Sequence, residues 1–122
     1  MSTPANPEKG QEKIFIVDQI TPKPGQGEAF LKAYMEKYAP GARERMTHEF
    51  TWVAPPMWLK DQSNTLYIVW SVQGAGQWWG MSQQSRRIDA VTEWWQDVAS
   101  MVVSRDRVFV SDVADIASLG NV

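Results

Sequence analysis

The chain has 122 residues, a formal net charge of −2 and no cysteine, and these values exclude several classes of protein. The length suits one domain with one core, and the weakly acidic charge gives no basic surface to attract nucleic acid. Without cysteine there are no disulfides, thiolate nucleophiles or iron–sulfur clusters. Seven tryptophans supply more flat, amphipathic surface than a domain of this size needs to fold, which is a first indication of a ligand site.

The two ends of the chain differ in composition from the rest. Residues 1–12 are polar and carry two prolines, so we expect a flexible N-terminal arm, a domain over 13–113 and a C-terminal tail over 114–122. The first residues lack the apolar run of a signal peptide. No apolar stretch approaches the about 20 residues of a membrane span. We therefore expect a cytoplasmic protein that does not bind membranes.

The first half of the chain predicts a strand, a helix and a second strand. Residues 13–20 are rich in β-forming side chains and stop at a Pro- and Gly-rich turn. Apolar residues at helical spacing predict a helix over 27–39, and Pro40 interrupts it, which leaves one loose turn through Arg45. Residues 48–54 predict the second strand.

The second half predicts two more strands around a second helix. The third strand covers 65–72, and the second helix covers 85–103, with a fourth strand over 108–111. The loop 57–64 is a candidate lid, and the segment GAGQWWG at 74–80 connects the third strand to the second helix. The resulting order is an α+β, ferredoxin-like βαββαβ arrangement, with an antiparallel sheet that carries both helices on one face.

The first and third predicted strands are apolar on both faces, although two helices cover only one face. A half-buried sheet shows polar residues on its solvent face, so the second face must meet another apolar surface. The simplest cover is the same face of a second copy, which predicts a homodimer. The alternative is cover by the chain's own tail and its 55–64 loop.

The order of these motifs resembles a known superfamily. Residues 20–31, ITPKPGQGEAFL, form a strand end, a Pro-Gly turn and a helix with an acidic first turn, and Val69-Trp70-Ser71 belongs to a third strand that leads into a short helical segment. Over about residues 13–113 the chain resembles the dimeric α+β barrel superfamily, which includes antibiotic-biosynthesis monooxygenase-like, EthD-like and NIPSNAP-like domains. The resemblance implies that the domain dimerises into an α+β barrel with a ligand pocket between sheet and helices, but it selects no reaction.

His48, the only histidine, is the first candidate for catalysis. Strict alternation in the second strand places it on one face with Phe50 and Trp52, where an imidazole among apolar walls could act as general acid or base. The alternative is a partly exposed histidine at a strand end. Asp18 interrupts an apolar strand, so it either needs a buried partner or marks the point where the strand reaches solvent, the reading we favour.

Further candidates are aromatic or cationic. The hydroxyls of Tyr34 and Tyr38, one helical turn apart, need acceptors, and we expect Tyr34 to orient a substrate oxygen. An arginine near the start of the second helix could bind an anionic group. The predicted substrate-binding residues are Trp52, Trp70, Trp79, Tyr38 and Arg87.

No sequence pattern supports a bound metal or nucleotide. The chain has no HxH, HxxxH or HxxE motif and no phosphate-binding glycine loop, so we expect no metal and no cofactor. Heme with His48 as axial ligand is the alternative.

These features together predict a cofactor-independent enzyme that acts on a small apolar, aromatic or polycyclic metabolite. The expected chemistry is acid–base catalysis of the lyase, isomerase or cyclase type. The alternatives are a cofactor-free monooxygenase of the antibiotic-biosynthesis type and a non-catalytic ligand-binding or dimerisation module.

Overall fold

The structure of the chain, a computed structural model, describes residues 12–74, 76 and 89–116. Its four strands form one antiparallel sheet in the order β2-β3-β1-β4. The strands are β1 (Lys13–Pro22), β2 (Thr47–Ala54), β3 (Thr65–Gln73) and β4 (Val102–Ser111).

The helices confirm the predicted βαββαβ order. The first helical region consists of α1 (Gly27–Ala33), a π-helical segment (Tyr34–Tyr38) and α2 (Ala39–Ala42), and the second is α3 (Asp89–Asp97). Short 3-10 turns cover Ala99–Met101 and Val113–Asp115. Among the described helices, none is both long and apolar enough to cross a membrane.

The π-helical segment has a physical cause in Pro40. Proline has no N–H to donate and its ring clashes with the carbonyl four residues earlier, so an ordinary α-helix cannot continue through it. Here the turn before it widens, and the Ala39 N–H donates to the Tyr34 carbonyl five residues back. The helix thereby continues to Ala42, and Tyr34 and Tyr38 keep their rings 4.9 Å apart on its buried side.

The core lies on one face of the sheet, which we call the inner face. Ile16, Ile20 and Trp70 of this face are fully buried against Tyr34 of the first helical region, while Trp94 of α3 closes the same cluster. Both helical regions therefore cover the inner face.

The opposite face, which we call the outer face, is apolar and partly exposed. Phe50 and Trp52 stack on it with ring centroids 4.4 Å apart, and Trp52 is 60% exposed. The apolar residues of the outer face are Phe15, Val17, Phe50, Trp52, Tyr67, Val69, Val108 and Val110, and the register also places Gln19, Ser71, Ser104 and Asp106 on it. The prediction of a sheet with two apolar faces is thus confirmed.

The 55–64 loop does not cover the outer face. The side chain of Asn64 holds this loop, because its amide accepts from the Leu59 N–H at 2.9 Å and donates to the Met57 carbonyl at 2.8 Å. Trp58 then packs beside α1, where a Cβ at Gly27 would lie 3.2 Å from its ring. The loop therefore lies beside α1 and not on the outer face, whereas the other part of the predicted alternative, cover by the tail, falls mostly on residues 117–122, outside the described residues.

The boundary between α3 and β4 differs from the prediction. The helix ends at Asp97 rather than 103, and β4 begins at Val102 rather than 108. Val102 is partly buried because it is extended beside Pro22 of β1, not because it continues the helical stripe. The helical spacing of Val98 and Val102 is coincidental, and a strand explains the two consecutive β-branched residues better.

A β-bulge in β2 reverses the predicted side-chain alternation. His48 lies opposite Trp70 while Phe50 lies opposite Val69, so Glu49 is the extra residue. His48 consequently belongs to the inner face, whereas Phe50 and Trp52 belong to the outer face. The prediction that these three side chains share one face is wrong, because strict alternation assumes an unbulged strand.

Candidate ligand-binding site

A cavity of about 300 Å³ lies on the inner face, under α3 and beside the edge strand β4. The π-helical segment, α3 and the two neighbouring strands β1 and β4 all contribute to its walls. Its lining residues are Asp18, Tyr38, Val91, Trp95, Arg105, Asp106 and Arg107.

Asp18 and Arg107 form a bidentate ion pair in the wall of this cavity. They lie opposite each other in the β1–β4 register, and Arg107 Nε and Nη2 donate to the two carboxylate oxygens at 2.6 and 3.0 Å. Burial lowers the pKa of the Arg107 guanidinium, but its hydrogen bonds to Asp18 outweigh that effect and raise the pKa above its ordinary value. Asp18 is only 1% exposed, so the favoured expectation that β1 reaches solvent there is wrong.

Tyr34 connects this ion pair to the core. Trp70 Nε1 donates to the Tyr34 hydroxyl at 2.7 Å, and that hydroxyl donates to Asp18 Oδ2 at 3.4 Å. Burial, with the charge of Asp18 next, raises the pKa of Tyr34 well above 10, so the hydroxyl keeps its proton at neutral pH. Tyr34 therefore holds Asp18 in place from the core side by a hydrogen bond, and it is not among the residues that line the cavity.

Tyr38, Trp95 and Arg105 give the cavity its chemical character. Tyr38 Oη lies 3.5 Å from Arg107 Nη2, and its ring centroid lies 5.6 Å from that of Trp95. The Arg105 guanidinium carbon lies 3.8 Å from the Trp95 ring centroid, a cation–π contact. The cavity therefore combines flat aromatic walls with two guanidinium groups and a phenol.

His48 lies apart from this cavity, near the β2 edge of the sheet. Its Nε2 is 2.9 Å from Thr51 Oγ1, and its ring centroid is 5.1 Å from that of Trp70. Burial and then the charge of Arg43 lower its pKa, which leaves the imidazole neutral at pH 7. The role of His48 as general acid or base stays a prediction.

The other predicted site residues fall in different places. Tyr38 lines the cavity. Trp70 is fully buried and is connected to the Asp18–Arg107 pair only by its hydrogen bond to Tyr34. Trp52 lies on the outer face. Trp79 and Arg87 lie outside the described residues.

The sequence interpretation missed Arg105, Arg107 and Trp95. The alternation Ser104-Arg105-Asp106-Arg107 in an otherwise apolar segment is the pattern of a strand, and it places both arginines on one face. A buried Asp18 would also have indicated a cationic partner on a neighbouring strand. Both signals were lost because the strand was predicted to begin only at residue 108.

A metal centre finds no support in the described part of the chain. No group of three or more His, Asp or Glu side chains lies close enough there to hold an ion.

Comparison with known proteins identifies the fold. The chain has a TM-score of 0.67 with a NIPSNAP domain protein from Burkholderia xenovorans, at 11% identity over 83% of this chain and 95% of that one. It has a TM-score of 0.66 with a NIPSNAP family protein of unknown function from Agrobacterium tumefaciens, at 6% identity over 84% and 89%. An antibiotic biosynthesis monooxygenase-like protein from Nitrosomonas europaea gives 0.53, at 12% identity over 84% and 92%.

These likenesses confirm, at the level of the fold, the resemblance to NIPSNAP-like and antibiotic-biosynthesis monooxygenase-like domains. The chain has their ferredoxin-like α+β architecture. No model of a known protein family matches the sequence. No curated protein matches it either.

Proposed function

We propose that the protein is a cofactor-independent enzyme that binds a small aromatic or polycyclic metabolite in the cavity and acts on it by acid–base chemistry. The observation that carries the proposal is the position of Arg107 Nη2 and the Tyr38 hydroxyl, 3.5 Å apart, in a wall that faces Val91 and Trp95. A cation beside a phenol suits a substrate oxygen that gains negative charge during the reaction.

In this proposal each residue of the cavity wall has a separate role. The substrate ring packs on Trp95, and its carbonyl or hydroxyl oxygen faces Arg107 and Tyr38. When the proton of the neighbouring carbon passes to solvent water, negative charge develops on that oxygen, to which an N–H of Arg107 and the Tyr38 hydroxyl donate. Arg107 is fixed in advance by Asp18, which Tyr34 supports in turn, so little reorganisation accompanies the reaction.

Proton exchange tests this chemistry without knowledge of the natural substrate. We expect the wild-type protein to accelerate deuterium incorporation into the α-carbon of 2-tetralone in heavy water, as followed by NMR. Loss of a positioned general acid typically costs about a hundredfold, so Tyr38→Phe should lose most of this acceleration. Tyr67→Phe, on the outer face, is the matched control and should retain it.

Two results would contradict the proposal: exchange no faster than in buffer, or equal loss in Tyr38→Phe and Tyr67→Phe. His48→Ala tests the prediction that His48 is the base. Because His48 lies at the β2 edge, apart from the cavity, exchange should be unchanged if the substrate ring binds beside Trp95, and loss of exchange while 2-tetralone still binds would move the reacting carbon to His48.

A cofactor-free monooxygenase is the second candidate. The likeness to the Nitrosomonas europaea protein favours it, and a cavity that stabilises a substrate anion also suits reaction of that anion with oxygen. If the protein consumes oxygen with a dihydroxynaphthalene and Tyr38→Phe does not, the monooxygenase is favoured over the acid–base enzyme. A protein that binds such ligands saturably but converts none of them would be a ligand-binding module.

We also propose that the outer face joins two copies of the chain as a homodimer. Phe50 is 39% exposed and Val108 and Val110 are each 45% exposed, so a continuous apolar surface spans the sheet from β2 to β4. Such surfaces usually mark an interface, and an identical face is the simplest apolar partner.

A further inference from the structure

Arg105 and Trp95 together separate two neighbouring cavities. The first is the cavity of about 300 Å³ described above, and the second, of about 280 Å³, lies toward the start of β4. Both are lined by Trp95 and Arg105, so this pair is the partition between them. The second cavity is otherwise lined by Val98, Ala99, Val102, Val103 and Ser104.

The two arginines of the site differ in what their donors contact. Arg107 uses Nε and Nη2 on Asp18 and Tyr38. Arg105 instead holds its guanidinium carbon 3.8 Å from the Trp95 ring centroid, and in the described part of the chain it forms no ion pair with a carboxylate. A cation–π contact uses the charge of the guanidinium and does not require its N–H donors as hydrogen-bond partners.

The carboxylates in the cavity wall do not neutralise Arg105. Asp18 is paired with Arg107. Asp106 lies opposite Gln19 in the β1–β4 register, so its side chain belongs to the outer face, where Oδ1 accepts from the backbone N–H of Arg107 at 3.0 Å. The free positive charge of the cavity is therefore that of Arg105, next to the aromatic surface on which a ligand ring would pack.

We infer that Arg105 is a specificity-determining residue that binds a carboxylate on the ligand at the partition between the two cavities. This rests on the proposed function, because it requires a ligand ring in the first cavity. The ring packs against Trp95 and Val91, and the carboxylate accepts two N–H donors from the edge of the Arg105 guanidinium, a geometry that arginine offers and lysine does not. The preferred substrates are accordingly aromatic acids, not neutral aromatics.

Isothermal calorimetry with 2-naphthoate and its methyl ester tests the inference, because the two ligands share a ring and differ in charge. Wild-type protein should bind the acid about three- to fivefold more tightly than the ester, because Arg105 is exposed and solvent weakens a charged contact there. Arg105→Gln should abolish the preference by weakening the acid much more than the ester, whereas Arg105→Lys should retain only part of the preference. Arg43→Gln, which removes an exposed arginine near His48, is the charge-matched control and should behave as wild type.

The inference is overturned if Arg105→Gln keeps the acid-to-ester ratio, or weakens both ligands equally, as a purely structural role would. It is also overturned if Arg43→Gln loses the ratio to the same extent, which would indicate a general effect of charge. If wild type binds the ester and accelerates proton exchange but shows no preference for the acid, the inference fails while the proposed function stands. If wild type binds neither ligand, both fail together.

Discussion

At the scale of single residues, the site depends on Asp18, a carboxylate enclosed by hydrogen-bond donors. It accepts from both Arg107 and Tyr34 and is almost fully buried. The sequence showed that such a residue needs a partner if buried, but not that Arg107 lies directly opposite, because cross-strand register depends on where β4 begins. The local sequence pattern therefore indicated that a buried Asp18 needs a partner, and the pairing of β1 with β4 identifies that partner as Arg107.

Asp18→Asn should destabilise the fold by about 2–3 kcal/mol. Loss of one partner from a fully buried ion pair costs about 3–5 kcal/mol, and the effect is smaller here because the Arg107 side chain is 30% exposed. Urea unfolding measures the change. Asp106→Asn, an exposed neighbour, is the control and should stay within about 0.5 kcal/mol of wild type; equal losses in both variants would refute the role of the pair.

Tyr34 should make stability fall at alkaline pH. Because its folded pKa is raised, its contribution is fully present below the ordinary value of about 10 and is lost as pH rises toward the folded value. At neutral pH, Tyr34→Phe should cost about 1–3 kcal/mol, since Trp70 Nε1 loses its acceptor. The gap in unfolding free energy between wild type and this variant should narrow above about pH 10. A gap that is constant with pH would contradict the assignment.

At the scale of secondary-structure elements, two irregularities decide which side chains meet. The π-helical turn before Pro40 places Tyr38 at the cavity, and the bulge at Glu49 turns Phe50 and Trp52 outward. The spacing of apolar residues predicted the kind and order of the elements well, because β1, β3 and α1 each contain many apolar residues at the spacing typical of a strand or a helix. It could not predict the bulge, since one extra residue leaves no mark on local composition but changes the face of every following side chain.

Deletion of Glu49 should cost far more than its replacement. Without the extra residue, Phe50 and Trp52 must turn toward a filled core or the pairing before them must slip, which we expect to cost about 2–4 kcal/mol. Glu49→Ala keeps the bulge and loses only the contacts to Ser71 and Lys13, worth about 1 kcal/mol. Urea unfolding of both variants tests this, and equal stability of the two would show that the bulge has no structural importance.

At the scale of the whole molecule, the sheet separates two surfaces of different character. Its inner face holds the core and the cavity, and its outer face carries the exposed apolar surface. The architecture and the two-faced sheet were predictable because they follow from element order and from strand composition. The candidate site was only partly predictable, since Tyr38 came from helical spacing while Arg105, Arg107 and Trp95 required the correct start of β4.

Trp52→Glu should disrupt the proposed homodimer. A charge in place of an aromatic interface residue typically weakens an interface by about 2–4 kcal/mol, so the variant should be monomeric at concentrations where the wild type is dimeric. Sedimentation equilibrium measures this. Met57→Glu is the control because Met57, in the 55–64 loop, is also 60% exposed. A monomeric wild type, or dissociation of both variants alike, would remove the outer face as the interface.

The central claim is that the cavity beside Trp95 receives an aromatic ligand, and NMR of the indole N–H groups tests it most directly. In a titration with 2-naphthol, we predict saturable shifts of the Trp95 signal, assigned through Trp95→Phe. The signals of Trp52, on the outer face, and of Trp58, beside α1, should not move. Saturable shifts at Trp52 or Trp58 with none at Trp95, or no saturable shift at any indole, would contradict the account.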